Sequence, residues 1–145
     1  MSVFKPFKAA RPSKDKALDV VCRPYDVLDS AEAKAEAEGN AASFYHVIKP
    51  EINFPDDFDH YDEAVYKKGR ENYQLLRSNG ILNKDSKEQF YVYQIIMDGH
   101  KQTGIVGCCS IDDYFENNIK KHELTRPDKE EDRKNHVRHG KINAE

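Results

Sequence analysis

The chain has 145 residues, 38% hydrophobic and 34% charged, with no tryptophan and a formal net charge of −3. That length can bury a core without disulfide or metal support, and the blocks of Phe and Tyr exclude a disordered chain. No apolar run approaches the roughly 18–20 residues of a membrane span, and the N-terminus lacks the apolar stretch of a secretory signal.

The charge is unevenly spread. Residues 1–23 carry six Lys/Arg against two Asp/Glu, a net +4, and residues 119–145 carry eight against six, a net +2. The overall −3 therefore leaves −9 on residues 24–118. This distribution argues against nucleic acid as a partner. Two basic ends could still meet around a small anion. The cysteines, Cys22, Cys108 and Cys109, lack metal-type spacing. They read as small buried thiols of a reducing, cytoplasmic compartment.

In chain order, Val3 to Ala9 predicts a short strand, ended by Arg11-Pro12-Ser13, and Leu18 to Val21 a second short apolar run. Pro24 fixes an extended or turned backbone within Arg23-Pro24-Tyr25-Asp26. Ser30 to Glu38 predicts a helix, capped by Asp29 or Ser30 and stopped by Gly39. Phe44 to Ile48 reads as a strand closed by Pro50, and residues 50–57 as a loop. A longer helix is expected from Asp59 to Ser78, with Gly80 as its terminator.

Asp98-Gly99 between two apolar runs, Phe90–Met97 and His100–Ile111, is a strong β-hairpin signal. Apolar residues on both faces predict central strands covered on two sides. Gly104 and Gly107 mark a bulge or a close approach by another backbone. Asp112 is the expected cap of a short helical turn. The last element runs from Pro127 to His139, with Thr125 as N-cap and Asp128 at capping-box spacing. This helix is polar nearly all round and needs something to bridge. The order β-β-α-β-α-β-β-α predicts an α+β fold with a mostly antiparallel or mixed sheet around the hairpin. It is read as one domain over 1–145, the N-terminal fragment of a larger protein, whose unpaired strand edge points to a homodimer.

The candidate chemistry lies at Lys121-His122-Glu123-Leu124-Thr125-Arg126. A zinc-protease helix needs a second histidine at position 126, where Arg stands, so no metal site is assigned. An anion or phosphate site fits better. Thr125 would cap a helix whose dipole attracts negative charge, and Arg126, Lys129, Arg133 and His136 fall on roughly one helical face. Lys121 adds a cation, Thr125 a hydroxyl, and Glu123 and His122 are the catalytic candidates, with Glu123 as general base. The alternative is a solvated helix laced with pairs such as Glu130–Lys134. Arg23, Tyr25 and Asp26 form a second candidate, able to hold a carboxylate or phosphate or to serve only as a structural turn. His46 reads as a satisfied core histidine, and His60 and His139 as surface residues.

Several segments together resemble one family. They are Phe4-Lys-Pro-Phe-Lys-Ala-Ala-Arg-Pro12, Val21-Cys-Arg-Pro-Tyr-Asp-Val27, Gly104-Ile-Val-Gly107, Ser110-Ile-Asp-Asp-Tyr114, Ile119 through Arg126, and Lys129-Glu-Glu-Asp-Arg133. In this order they are similar to the N-terminal portion of the uncharacterised family DUF1015. The resemblance implies a longer protein with a later Asp-Gly-His-His-Arg motif, which this sequence lacks. That motif is similar to the ParB/sulfiredoxin-like group, some members of which bind nucleotide phosphates and one branch of which phosphorylates free serine. By that analogy the resemblance implies an enzyme using ATP or ADP with Mg on a small anionic or phosphorylated metabolite, in serine-related phosphoryl transfer. The alternative is a non-catalytic binding or assembly module.

Overall fold

The computed structural model describes residues 2–120 and 126–144. Its elements in chain order are β1 (Phe4–Lys5), β2 (Ala10–Pro12), α1 (Ala17–Val20), α2 (Ser30–Ala37), α3 (Tyr45–Ile48), a 3-10 turn (Pro50–Asn53), α4 (Glu63–Ser78), β3 (Leu82–Lys84), β4 (Tyr91–Met97), β5 (His100–Val106), β6 (Cys108–Cys109), α5 (Ile111–Phe115) and α6 (Pro127–Gly140). The fold is α+β, with helices and short antiparallel strand pairs. It divides into two compact units, Met1–Arg11 with Lys84–Leu124 and Pro12–Asn83 with Thr125–Glu145.

The first unit is built on the hairpin. Asp98 and Gly99 take φ of 50° and 78°, so both turn residues are left-handed, as a two-residue turn matched to strand twist requires. β4 and β5 pair in unbroken register from Tyr91↔Val106 to Met97↔His100, which leaves no bulge at Gly104. Gly107 is different: a Cβ there would lie 2.6 Å from the Phe4 ring. The close approach comes from β1, which pairs antiparallel with β6. The hairpin is a two-stranded ribbon and not a pair of covered central strands. Val92 and Ile105, directly paired, are 74% and 70% exposed. Both faces are apolar as expected, but no packing layer covers either face among the described residues.

Two carboxylates tie the first unit together. Asp113 accepts from the Val3 backbone N–H at 2.7 Å and from Asn118 at 3.1 Å. Asp85 accepts two N–H bonds from Arg11, at 2.9 and 3.1 Å, and the Tyr91 hydroxyl at 2.6 Å. The cap of α5 is Ser110, which accepts the Asp113 N–H, and not Asp112. Asp112 lies inside the helix, in its first turn. Cys108 and Cys109 are exposed instead of buried, because β6 pairs only with the short β1.

The second unit holds the apolar core. One cluster joins Leu28, Ala33, Ala37, Tyr45 and Ile52, and another joins Val20, Val47, Leu76 and Leu82. α2 begins as expected: Asp29 and Glu32 form a reciprocal capping box, and Gly39 ends the helix at φ 71°. α4 starts at Glu63 with Asp62 as cap, four residues later than the sequence expectation. The Asp59 side chain accepts the Tyr61 N–H at 2.9 Å, a local turn that competes with helix.

Two segments read as strands are helical. Leu18 lies within α1 and Val21 is its C-cap, with only Val20 of that turn buried. Tyr45–Ile48 forms α3 with Phe44 as its N-cap, led in by Asn40, whose side chain accepts the Ala42 N–H at 3.1 Å. Short apolar runs fit a buried helical turn as well as a strand, and packing decides. Tyr45 and Val47 enter different clusters, and Asn72 of α4 satisfies the His46 carbonyl at 2.8 Å.

Gly69 explains how α4 approaches so closely. A Cβ there would meet the Val47 carbonyl oxygen at 2.9 Å and Pro50 Cγ at 3.2 Å. Gly69→Ala is expected to lower the unfolding free energy by about 1 kcal/mol in urea titration. Overpacking costs roughly 1–3 kcal/mol, while the helix-propensity gain is only about 1 kcal/mol.

Candidate functional site

The polar helix α6 has a partner within its own unit. Asp132, Arg133, His136 and His139 are half-buried, a spacing that gathers them on one side of the helix. That side meets Tyr66, a buried residue of α4. The phenol hydroxyl donates to Asp132 at 2.9 Å. The ring stacks on His139 at 5.6 Å and receives His136 edge-on at 4.9 Å. His139 also lies 3.6 Å from Glu63. Aromatic contacts of this kind are worth about 0.5–1.5 kcal/mol each, so α6 needs no apolar stripe to dock. His139 is thus a packing residue, where the sequence had it at the surface.

Beside this contact lies a concavity of about 310 Å³. The turn after Pro24 contributes Tyr25 and Asp26, the 3-10 turn region Lys49 and Glu51, and α6 Lys129, Arg133 and His136. The Arg133 guanidinium lies 4.0 Å over the Tyr25 ring. It also pairs with Asp132 at 2.7 Å. Lys49 and Glu51 pair at 3.2 Å with only 12% of either side chain exposed, and Ser30 donates to Glu51 at 2.9 Å. Among the described residues, Lys129 has no ion pair.

The electrostatics follow from burial and these partners. Desolvation, then the hydrogen bond to Asp132 and its charge, pushes the Tyr66 hydroxyl up to about 12. Burial pushes His136 down to about 4, helped by the Arg133 charge and opposed by Asp132. Burial raises the Asp132 carboxyl, but the Arg133 pair and the Tyr66 hydroxyl outweigh it, so it titrates below the ordinary value. At neutral pH the Tyr66 phenol and the His136 imidazole are therefore neutral and Asp132 is ionised.

Of the residues singled out in the sequence, Tyr25, Asp26, Lys129 and Arg133 are brought together, with His136 beside them. Arg23 is placed elsewhere. Its guanidinium pairs with Glu36 of α2, and Tyr45 bridges the two, donating to Glu36 at 2.7 Å and accepting the Arg23 N–H at 3.0 Å. Arg126 is 74% exposed and pairs with Asp128 at 2.6 Å. It occupies the N-cap of α6 with no side-chain cap bond. Lys121, His122, Glu123 and the expected cap Thr125 lie outside the described residues. Glu130 and Lys134 form the expected surface pair at 2.7 Å.

Sequence reasoning missed Tyr66, Asp132, Lys49 and Glu51. Asp132 stands four residues after Asp128, which reads as surface repulsion. Its neighbours Arg133 and His136 were the available signal. Nothing in the local sequence marks Tyr66, which is 66 residues from its partner.

A broader groove of about 740 Å³ runs along α2, lined by alanines and by Lys34, Asp56 and His46. Its polar groups are already engaged: Lys34 pairs with Asp56 at 2.6 Å, and His46 bonds Asn53 at 2.9 Å and the Asn40 carbonyl at 3.2 Å. Burial, then the charge of Glu36, pushes the Cys22 thiol up to about 11, which makes it a poor nucleophile. Among the described residues, no three His, Cys, Asp or Glu side chains are grouped to hold a metal ion, and no helix is long and apolar enough to cross a membrane.

A family model described as "Protein of unknown function (DUF1015)" matches residues 4–145. No curated protein and no solved structure matches the chain.

His136 gives the site a pH signature. Its folded pKa of about 4 lies below the ordinary 6.5, so the unfolded chain takes up the proton first. Its contribution to stability is full above about pH 6.5 and is lost as pH falls toward 4. Urea midpoints at pH 7 and pH 5 should differ less in His136→Gln than in the parent chain. Equal pH slopes would show that His136 is not the group responsible.

Proposed function

The chain belongs to the DUF1015 family, and on that footing we propose that its second unit binds a small anionic or phosphorylated metabolite in the concavity between Tyr25 and α6. The carrying observation is the Arg133 guanidinium held over the Tyr25 ring at 4.0 Å, with Lys129 lining the same space. A guanidinium fixed on an aromatic face is pre-organised, so little side-chain entropy is lost when an oxyanion docks. Lys129 adds a second positive charge one helical turn earlier.

The size of the concavity supports a small ligand. At about 310 Å³ it sits at the lower end of the roughly 300–1,000 Å³ usual for ligand sites. That favours a phosphorylated metabolite over a whole nucleotide. Asp26, which lines the same space, offers an acceptor for a hydroxyl or amine of the same ligand, as a serine-related substrate would require. The reaction this reading implies is phosphoryl transfer, in which these residues would position the phosphorylated group.

A second reading, a non-catalytic binding or assembly module, is favoured by the β4–β5 ribbon, whose two faces are both apolar and exposed. Contiguous exposed apolar surface marks interaction sites. Sedimentation of the chain as a monomer, unaffected by Ile105→Lys, would remove that reading.

The main proposal is tested by calorimetric titration of the 145-residue chain with inorganic phosphate, phosphoserine and ADP. Phosphoserine is expected to bind more tightly than ADP, and more weakly as salt is raised. Arg133→Ala and Lys129→Ala should each weaken binding about tenfold or more, the usual loss for a charge-assisted hydrogen bond. Arg126→Ala should leave it unchanged. Full affinity in Arg133→Ala would sink the assignment.

A further inference from the structure

Neighbouring residues on a helix do not normally face each other. Arg133 nevertheless folds back on Asp132, presenting Nη2 at 2.7 Å and Nε at 3.3 Å to a single carboxylate oxygen, Oδ2. The other oxygen, Oδ1, accepts the Tyr66 hydroxyl at 2.9 Å. Asp132 is thus held from one side by α4 and holds Arg133 from the other. Its side chain is 16% exposed and that of Arg133 is 31% exposed. The guanidinium is fixed on three counts: one edge on Asp132, one face on Tyr25, and its stem on α6. Nη1 has no hydrogen-bond partner among the described residues.

We infer that Tyr66 is a positioning residue for the anion site, acting through Asp132 to aim the outer Nη1–Nη2 edge of Arg133 at a ligand group with two oxygens. This deepens the function proposed above and rests on it for the ligand, but the relay itself is a property of the unliganded chain. A guanidinium edge with two parallel N–H donors matches the spacing of a carboxylate or phosphate. Without the Tyr66 hydroxyl, Asp132 loses the bond that fixes its plane, and Arg133 can rotate toward solvent. The neutral state of the phenol suits this role. Its raised pKa keeps it a donor throughout the neutral range.

The test uses the 145-residue chain with ¹⁵N-labelled arginine, the Arg133 Nε–H signal being assigned by its loss in Arg133→Lys. In the parent chain that signal should be dispersed and slow to exchange with water. In Tyr66→Phe and in Asp132→Asn it should move to the position of solvent-exposed arginines. Affinity for inorganic phosphate should fall roughly tenfold in Tyr66→Phe, and not fall further when Tyr66→Phe is added to Arg133→Ala. An Arg133 signal unchanged in both variants would overturn the relay. A signal that moves as expected, in a chain that binds no phosphate or phosphoserine, would uphold the relay and overturn the binding function instead.

Discussion

The docking of α6 in the second unit centres on the hydrogen bond from the Tyr66 hydroxyl to Asp132. α4 is amphipathic and buries Val65, Tyr66, Gly69 and Leu76. α6 has no buried residue and a single clear apolar side chain, Val137, which is 47% exposed. Hydrophobic burial cannot dock such a helix. The phenol does so by offering a ring to two histidines and a donor to a carboxylate at once. A buried carboxylate without partners would cost several kcal/mol. Here Tyr66, Arg133 and His136 surround it. The docking contact and the candidate site therefore share one carboxylate, and disturbing either should be felt in the other.

The first unit solves a different problem by similar means. Its strands are short and its ribbon is exposed, so little apolar burial is on offer. Asp113 and Asp85 collect backbone and side-chain donors from the N-terminal segment. The Tyr91 hydroxyl accepts the Ala9 N–H at 2.8 Å while donating to Asp85. The guanidinium of Arg11 holds Asp85 down to about 2, with the Tyr91 hydroxyl adding to the effect. Polar satisfaction fixes the register here, and the aromatic pairs Phe4–Phe90 and Phe7–Tyr91, at 5.2 and 4.9 Å, fill the space between.

Function follows from what these arrangements leave unspent. Most cations of the second unit are neutralised: Arg23 by Glu36, Lys34 by Asp56, Lys49 by Glu51, Arg126 by Asp128. Among the described residues, Lys129 and the outer edge of Arg133 are not. They lie beside the same concavity, against an aromatic wall and a neutral imidazole. These two groups share the concavity with the carboxylates Asp26, Asp29 and Glu51, so any anion would have to dock on the side of α6.

Local signals in the sequence determined the features whose energetics are local. The Asp29–Glu32 box, the Gly39 and Gly80 stops, and the Asp98-Gly99 turn each depend on residues within a few positions, so they can be read directly. The α+β class and the grouping of Lys129, Arg133 and His136 on α6 followed from the same short-range periodicity. Tertiary structure decided the rest. Phe44 to Ile48 became a helix because its side chains feed two separate clusters, and the apolar hairpin became an exposed ribbon because, among the described residues, no third strand or helix covers it. Arg23 went to Glu36, while Asp132, read as a surface charge, became the centre of the site. Those outcomes turn on partners distant in the chain. A helical residue's neighbours along the sequence say which face it shares, but not which side chain from another helix will meet that face.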